Sequence, residues 1–127
     1  MQRPVLGSLL LSSTDPERLR TWYATALDPS DSTEVNGYRV LKFGDFFYLF
    51  IDTRQDIADK NPEPGRVILN FDVPDARAVA ARMEQAGTQW LADLEDRDGS
   101  LFATAIDPDG NYVQIIELSE EHRQASS

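Results

Sequence analysis

The strongest constraint on how this chain folds is that its pattern of elements runs through once and then begins again. Residues 5–12 form a short apolar run that predicts a strand. Ser13-Thr14-Asp15-Pro16-Glu17 is a helix start: Thr14 or Asp15 caps, Pro16 suits the first turn, and Glu17 completes a capping box with Thr14. Leu19, Tyr23 and Leu27 recur every four residues beside Trp22, making one apolar helix face, and Asp28-Pro29 closes it. Three strands are predicted next, at 32–35, 38–43 and 46–52, separated by the turns Asn36-Gly37 and Gly44-Asp45. Residues 53–65 carry Pro62, Pro64 and Gly65 among polar side chains and read as a surface linker. The order then returns: a strand at 66–73, an Asp75-capped helix to Ala86 with Val79, Ala80 and Met83 on its apolar face, and a Gly87 stop. Strands at 88–94, 100–106 and 111–118 follow, and residues 120–127 are a polar tail expected to fray.

Asp15 and Asp75 hold the same place in the two helix starts, and Phe47-Tyr48-Leu49-Phe50-Ile51-Asp52 matches Tyr112-Val113-Gln114-Ile115-Ile116-Glu117 in pattern. This repeat predicts one domain of two strand–helix–three-strand modules, about 4–53 and 66–118, joined by a linker at 54–65 and followed by a tail at 119–127. A chain of 127 residues, 41% hydrophobic and 27% charged, can bury one core. The net charge of −10 argues against nucleic acid and anionic membranes, which need a basic footprint. It favours a cationic small molecule, and it equally serves solubility alone. With no Cys there is no disulfide, thiol nucleophile or thiolate metal site. Apolar runs such as 46–51 fall short of a membrane span, and Met1-Gln2-Arg3-Pro4 lacks a signal-peptide core, so cytoplasmic residence is expected.

Three stretches carry a family resemblance. They are Trp22-Tyr23 in the Asp-led helix, Phe71-Asp72-Val73-Pro74-Asp75-Ala76 at the start of the second module, and Asp107-Pro108-Asp109-Gly110-Asn111 before the last strand. In this order they resemble the vicinal oxygen chelate superfamily, the glyoxalase/bleomycin resistance/extradiol dioxygenase group. The resemblance implies an α+β fold of two tandem βαβββ modules forming a curved mixed sheet around a cavity. Metal-dependent relatives place His, Glu or Gln ligands on the first and last strands of each module. Those positions fall here on Ser8, Leu49, Ile68 and Gln114. Two are aliphatic and cannot ligate, so no metal and no other cofactor is expected. Asp52 and Glu117, at strand ends, read as solvated charges. Asp96-Arg97-Asp98-Gly99 lacks the acidic residue that closes a calcium loop and reads as a hairpin turn.

Strand alternation from those positions also turns Leu6, Leu10, Phe47, Ile51, Asn70, Tyr112 and Ile116 inward. The wall is apolar with a few polar points. It suits either a small-molecule pocket or a packed interior. Trp90 and Phe102 are candidates for stacking a planar ligand, whereas Phe46, Tyr48 and Phe50 are expected against the helices. The ligand-contact set is therefore Ser8, Phe47, Leu49, Ile68, Asn70, Trp90, Phe102, Tyr112 and Gln114. For catalysis, the single His, His122, lies in the tail, so a Ser–His–Asp arrangement is not expected; Tyr112 is the candidate acid or base. Three functions stay open: a binding protein for a partly aromatic or cationic molecule, as in bleomycin-resistance-type relatives; a lyase, isomerase or dioxygenase-type enzyme; and a regulatory subunit without ligand. A homodimer is expected, because a half-open sheet leaves strand edges to cover.

Overall fold

The computed structural model describes residues 2–125. Its elements are β1 (Ser8–Ser13), α1 (Pro16–Leu27), β2 (Asp31–Val35), β3 (Tyr38–Phe43), β4 (Phe47–Thr53), a 3-10 turn (Pro64–Arg66), β5 (Leu69–Asp72), α2 (Ala76–Gln85), β6 (Gln89–Arg97), β7 (Ser100–Ile106), β8 (Tyr112–Glu117) and α3 (Glu120–Ala125). Each module forms its own four-stranded mixed sheet, with the orders β1-β4-β3-β2 and β5-β8-β7-β6. In both, the first strand runs parallel to the last and the hairpins are antiparallel. The repeated βαβββ architecture is thus the one the sequence predicts. No helix among the described residues is long and apolar enough to cross a membrane.

One core joins the modules. From α1 it takes Leu19, Trp22, Tyr23 and Ala26, from α2 Ala76, Val79 and Met83, and from the strands Leu41, Leu49, Ile51, Leu101, Ala103, Ala105, Val113 and Ile115. Each sheet therefore has one face against the helices and one open face. Asp15 caps α1 by accepting from the Arg18 N–H at 3.2 Å, and Asp75 caps α2 through the Ala78 N–H at 3.1 Å. The expected capping box does not form. Thr14 instead donates to Asp59 of the linker at 2.8 Å, and Glu17 is taken by Arg20 and Arg39. Those two guanidiniums, Arg20 before Arg39, hold the Glu17 carboxyl down to about 2.

Two other expectations are corrected. Glu117 is not merely a solvated strand-end charge: its Oε1 accepts from the Ala76 N–H at 2.8 Å, satisfying a free donor at the start of α2. The tail does not fray directly after β8. Ser119 caps α3 through the His122 N–H at 3.1 Å, and the His122 ring hydrogen-bonds Ser100. Ser126 and Ser127 lie outside the described residues.

The modules are locked to each other through α1. Tyr23, fully buried, donates from its hydroxyl to Asp107 Oδ2 at 2.6 Å, and Trp22 donates to the Thr88 hydroxyl at 2.8 Å. Asp107 begins the β7–β8 turn and is itself buried. Its Oδ1 accepts the N–H groups of Asp109 and Asn111, and its Oδ2 also accepts the Asn111 amide, each at 2.9 Å. Burial raises the Asp107 carboxyl above the ordinary carboxylate range, and these hydrogen bonds, Tyr23 first, work against that rise.

A carboxyl whose folded pKa is raised favours the folded state most at pH below its unfolded value, and that contribution is lost as pH climbs through the folded value. Tyr23→Phe removes the leading donor to the charged form. It is expected to cost about 1.5–3 kcal/mol at pH 7 and less at pH 4, where Asp107 of the folded variant takes up a proton more readily than Asp107 of the wild type does. Urea unfolding at the two pH values checks this.

Candidate ligand-binding faces

Cross-strand pairing fixes which side chains share each open face. On the first sheet Ser8 pairs with Tyr48, Leu10 with Phe50 and Ser12 with Asp52, and on the far side of β4 Lys42 pairs with Tyr48 and Val40 with Phe50. The result is an aromatic platform. The Phe50 ring centroid lies 6.2 Å from Tyr38 and 6.5 Å from Tyr48, and Lys42 Nζ stands 5.9 Å from the Tyr48 centroid. Leu10 is 51% exposed and Tyr48 37%, large apolar surface for a single chain to leave in water.

The open face of the second sheet differs in chemistry. Asn70 pairs with Gln114, and Gln114 with Thr104, giving a polar row across three strands. Tyr112 and Ile106 lie on one side of this row, and Ile116 and Phe102 on the other. The Arg97 guanidinium lies 4.9 Å from the Phe102 centroid. Among the described residues, neither the Asn70 nor the Gln114 side-chain amide makes a hydrogen bond. Each can therefore donate and accept with an incoming group.

Of the predicted contact set, Ser8, Asn70, Phe102, Tyr112 and Gln114 reach these open faces, divided between the two sheets; Ile68, just ahead of β5, is exposed. Leu49, Phe47 and Trp90 do not. Leu49 is 1% exposed within the core, with Ile51, also predicted inward, beside it at 0%. Trp90 packs against the core from the helix side and donates to Glu84 of α2 at 2.5 Å. Phe47 pairs with Phe43 and lines a cleft of about 610 Å3 along β5, where two other residues of the predicted set, Ile68 and Asn70, join it with Leu6 and Phe71. Conversely, Tyr48 and Phe50, expected against the helices, form the platform, and Phe46 is 85% exposed.

The displacements within β4 have one cause. The sequence match set Phe47 against Tyr112. The structure sets Tyr48 against Tyr112, because Ser8 pairs with Tyr48 and Leu10 with Phe50, just as Asn70 pairs with Gln114. A shift of one residue turns a whole strand over. The usable signal was the aliphatic pair, Leu49 and Ile51 against Val113 and Ile115, since the helix-facing side must repeat its hydrocarbon.

His122 is less peripheral than its place in the sequence suggests, but it does not make a nucleophile: its partner Ser100 is fully buried and also accepts the Ser119 N–H at 2.8 Å.

The sequence profile of the glyoxalase-like domain family matches residues 8–116. The chain belongs to that family. Solved structures agree on the fold. A glyoxalase/bleomycin resistance protein from Albidiferax ferrireducens T118 is 16% identical with a TM-score of 0.73, covering 90% of this chain and 98% of its own. The fosfomycin resistance protein FosX from Mesorhizobium loti is 15% identical with a TM-score of 0.72, covering 98% and 99%. The oxidase ChaP-H2 is 16% identical with a TM-score of 0.75, covering 93% and 96%. No curated protein matches the chain.

With the register corrected, the family's four metal positions in this glyoxalase-like chain carry Ser8, Phe50, Ile68 and Gln114. Two of them are hydrocarbon, one is a hydroxyl and one a neutral amide. That donor set does not fit a divalent metal, which needs three or more nitrogen, sulfur or anionic oxygen donors converging on one point. Among the described residues no group of three His, Cys, Asp or Glu side chains is placed to hold one.

The corrected register predicts opposite responses from neighbouring residues of β4. Leu49→Ala should cost about 2–5 kcal/mol, as a buried truncation does. Tyr48→Ala should cost about 1 kcal/mol or less. Thermal and chemical unfolding of the pair measure the difference.

Proposed function

We propose that this glyoxalase-like protein binds a small organic molecule against the open faces of its sheets, without a metal, as bleomycin-resistance-type relatives sequester theirs. The observation that carries this reading is the Gln114 amide. It sits mid-strand among Tyr112, Ile116 and Thr104 on an otherwise largely apolar face and makes no hydrogen bond within the described chain. The side chain is half-buried, and its amide is free to donate and accept with an incoming molecule. The aromatic platform of the first sheet adds flat surface for a ring. Drug or natural-product sequestration is the role these features suit. The enzyme alternative has less support, since the family's metal positions carry two hydrocarbon side chains, a hydroxyl and a neutral amide.

A ligand screen by thermal shift tests the reading, because a compound at 100 times its dissociation constant stabilises by about 2.7 kcal/mol. In that assay Gln114→Leu is expected to fold at equal or higher stability and to bind the identified compound at least tenfold more weakly. Loss of stability with full affinity would end the reading. Elemental analysis of tag-free protein is expected to find no stoichiometric Zn, Fe, Mn or Ni; one equivalent would favour the enzyme alternative.

We also propose that the protein is a homodimer. The aromatic platform and the polar row lie on separate sheets that share no ladder, and β1 and β5 each have an unpaired edge. Leu10, Tyr48 and Ile68 leave apolar surface exposed beside those edges. Pairing two copies covers this surface and encloses the faces. Sedimentation at micromolar concentration should therefore give a dimer of about twice 14.3 kDa; a monomer would count against the assembly.

A further inference from the structure

The cleft along β5 lies where the modules meet: Leu6, Phe43 and Phe47 come from the first, Ile68 and Phe71 from the second. Its volume is about 610 Å3, and Asp72 is its only charged wall residue. Much hydrocarbon around it stands in water. Leu6 is 85% exposed, and Val5, Val67 and Ile68 are exposed with it. Phe46, on the turn between β3 and β4, is 85% exposed as well. Its neighbours Phe43, Gly44 and Phe47 are walls of the cleft, and Phe46 itself is not. A hydrophobic knob and a hydrophobic hole therefore stand side by side on one surface.

Such a surface is self-complementary. A two-fold axis passing between knob and hole brings each knob into the other copy's hole. An aromatic anchor in an apolar pocket is also the kind of contact that carries most of an interface's energy. Charge points to the same partner. Each chain carries −10, so two copies repel over most of their surface and meet where charge is absent or paired. The cleft is nearly uncharged, and cations border it: Arg66 directly precedes Val67, and Arg3 lies three residues before Leu6. Arg66 has an exposed pairing with Glu63 at 3.3 Å. Arg3 has no ion-pair partner among the described residues, and neither has Asp45, the residue before Phe46. Asp72 closes β5 at the end away from Val67 and repels a second carboxylate from there. We propose that the partner's Phe46 fills this cleft, with the partner's Asp45 turned to Arg3, and that the exchange is reciprocal. The proposal rests on the homodimer reading above and specifies the surface that forms it.

Sedimentation equilibrium of the full chain at micromolar concentration and low salt tests it. Phe46→Ala should raise the dimer dissociation constant roughly tenfold or more, and Phe46→Asp should leave monomer. Phe46→Leu, which keeps an apolar knob, should stay within about fivefold of the wild type. An exposed side chain contributes little to its own fold, so circular dichroism of all three should match the wild type. Asp45→Arg separates pairing from general repulsion. Removing an acid from a chain of −10 tightens a dimer limited by net charge, whereas here it should weaken the dimer about threefold or more. Combining Asp45→Arg with Arg3→Asp should restore the dissociation constant to within about twofold of the wild type. A dimer indifferent to Phe46→Ala and Phe46→Asp overturns the plugged cleft and leaves the homodimer reading intact. A double variant no tighter than Asp45→Arg alone overturns the facing of the partner's Asp45 and Arg3. A wild-type monomer overturns the homodimer reading, and this contact with it.

Discussion

The Tyr23–Asp107 hydrogen bond is the contact on which the arrangement of the two modules depends. Either module alone has a helix covering one face of a four-stranded sheet, too small a core to stand by itself. The bond joins the helix of the first module to the closing turn of the second, in a place from which water is excluded. There an unpaired hydroxyl or carboxylate would be expensive, so the native packing must bring both partners together. Asp107 is also the organiser of its own turn. It accepts from Asp109 and Asn111, and through Asp109 the turn reaches Arg18 of α1 and the N–H of Asn61 in the linker. Turn, helix and linker are thereby referred to one carboxylate.

With the modules fixed from the helix side, the other faces of the sheets carry little of the folding load. Leu49 and Ile51 on one sheet, and Val113 and Ile115 on the other, are consumed by the core. Their alternating neighbours, Tyr48, Phe50, Tyr112 and Gln114, are free to vary in chemistry. This division explains how a glyoxalase-like chain can hold its fold while positions that bear metal ligands in relatives carry a phenyl ring and an isoleucine. It also explains why fold likeness to a fosfomycin resistance protein and to an oxidase assigns neither activity here.

The same division governs how much the sequence reveals. Helix starts at Asp15 and Asp75, the Asn36-Gly37 hairpin and the repeated element order were legible, because they rest on local chemistry and on a period that recurs. The Asn36 and Gly37 φ values of 51° and 85° are those the hairpin requires. The register of β4 was not legible from composition. Phe47 to Ile51 is hydrophobic at every position, so alternation gives no contrast and either face could be the buried one. The wrong choice exchanged the core residues for the site residues. Asp107 was visible only as a turn former, since nothing in a local window shows that Tyr23, 84 positions away, will reach it.

Two carboxylates on strand ends or turns show how burial alone fails to distinguish scaffold from site. Asp107 is buried with four donors, which offset part of its desolvation and commit both of its oxygens to the fold. Asp52 is only partly buried, yet one of its oxygens is sealed from water with nothing donating to it, and Arg54 meets its charge only through space. Leaving a buried acceptor unpaired costs on the order of 1–3 kcal/mol, a sizeable share of the stability of a domain this small. A fold under selection for stability alone would replace such a group with Asn, Thr or an aliphatic residue. The cost falls on the open face, beside three aromatic rings and on the same chain as the two unpartnered amides, rather than in the core, where the described polar side chains are satisfied. Unlike that sealed oxygen, the Asn70 and Gln114 amides stay open to solvent where the helices do not reach, and that is the physical basis for reading these faces as the place where the protein meets another molecule.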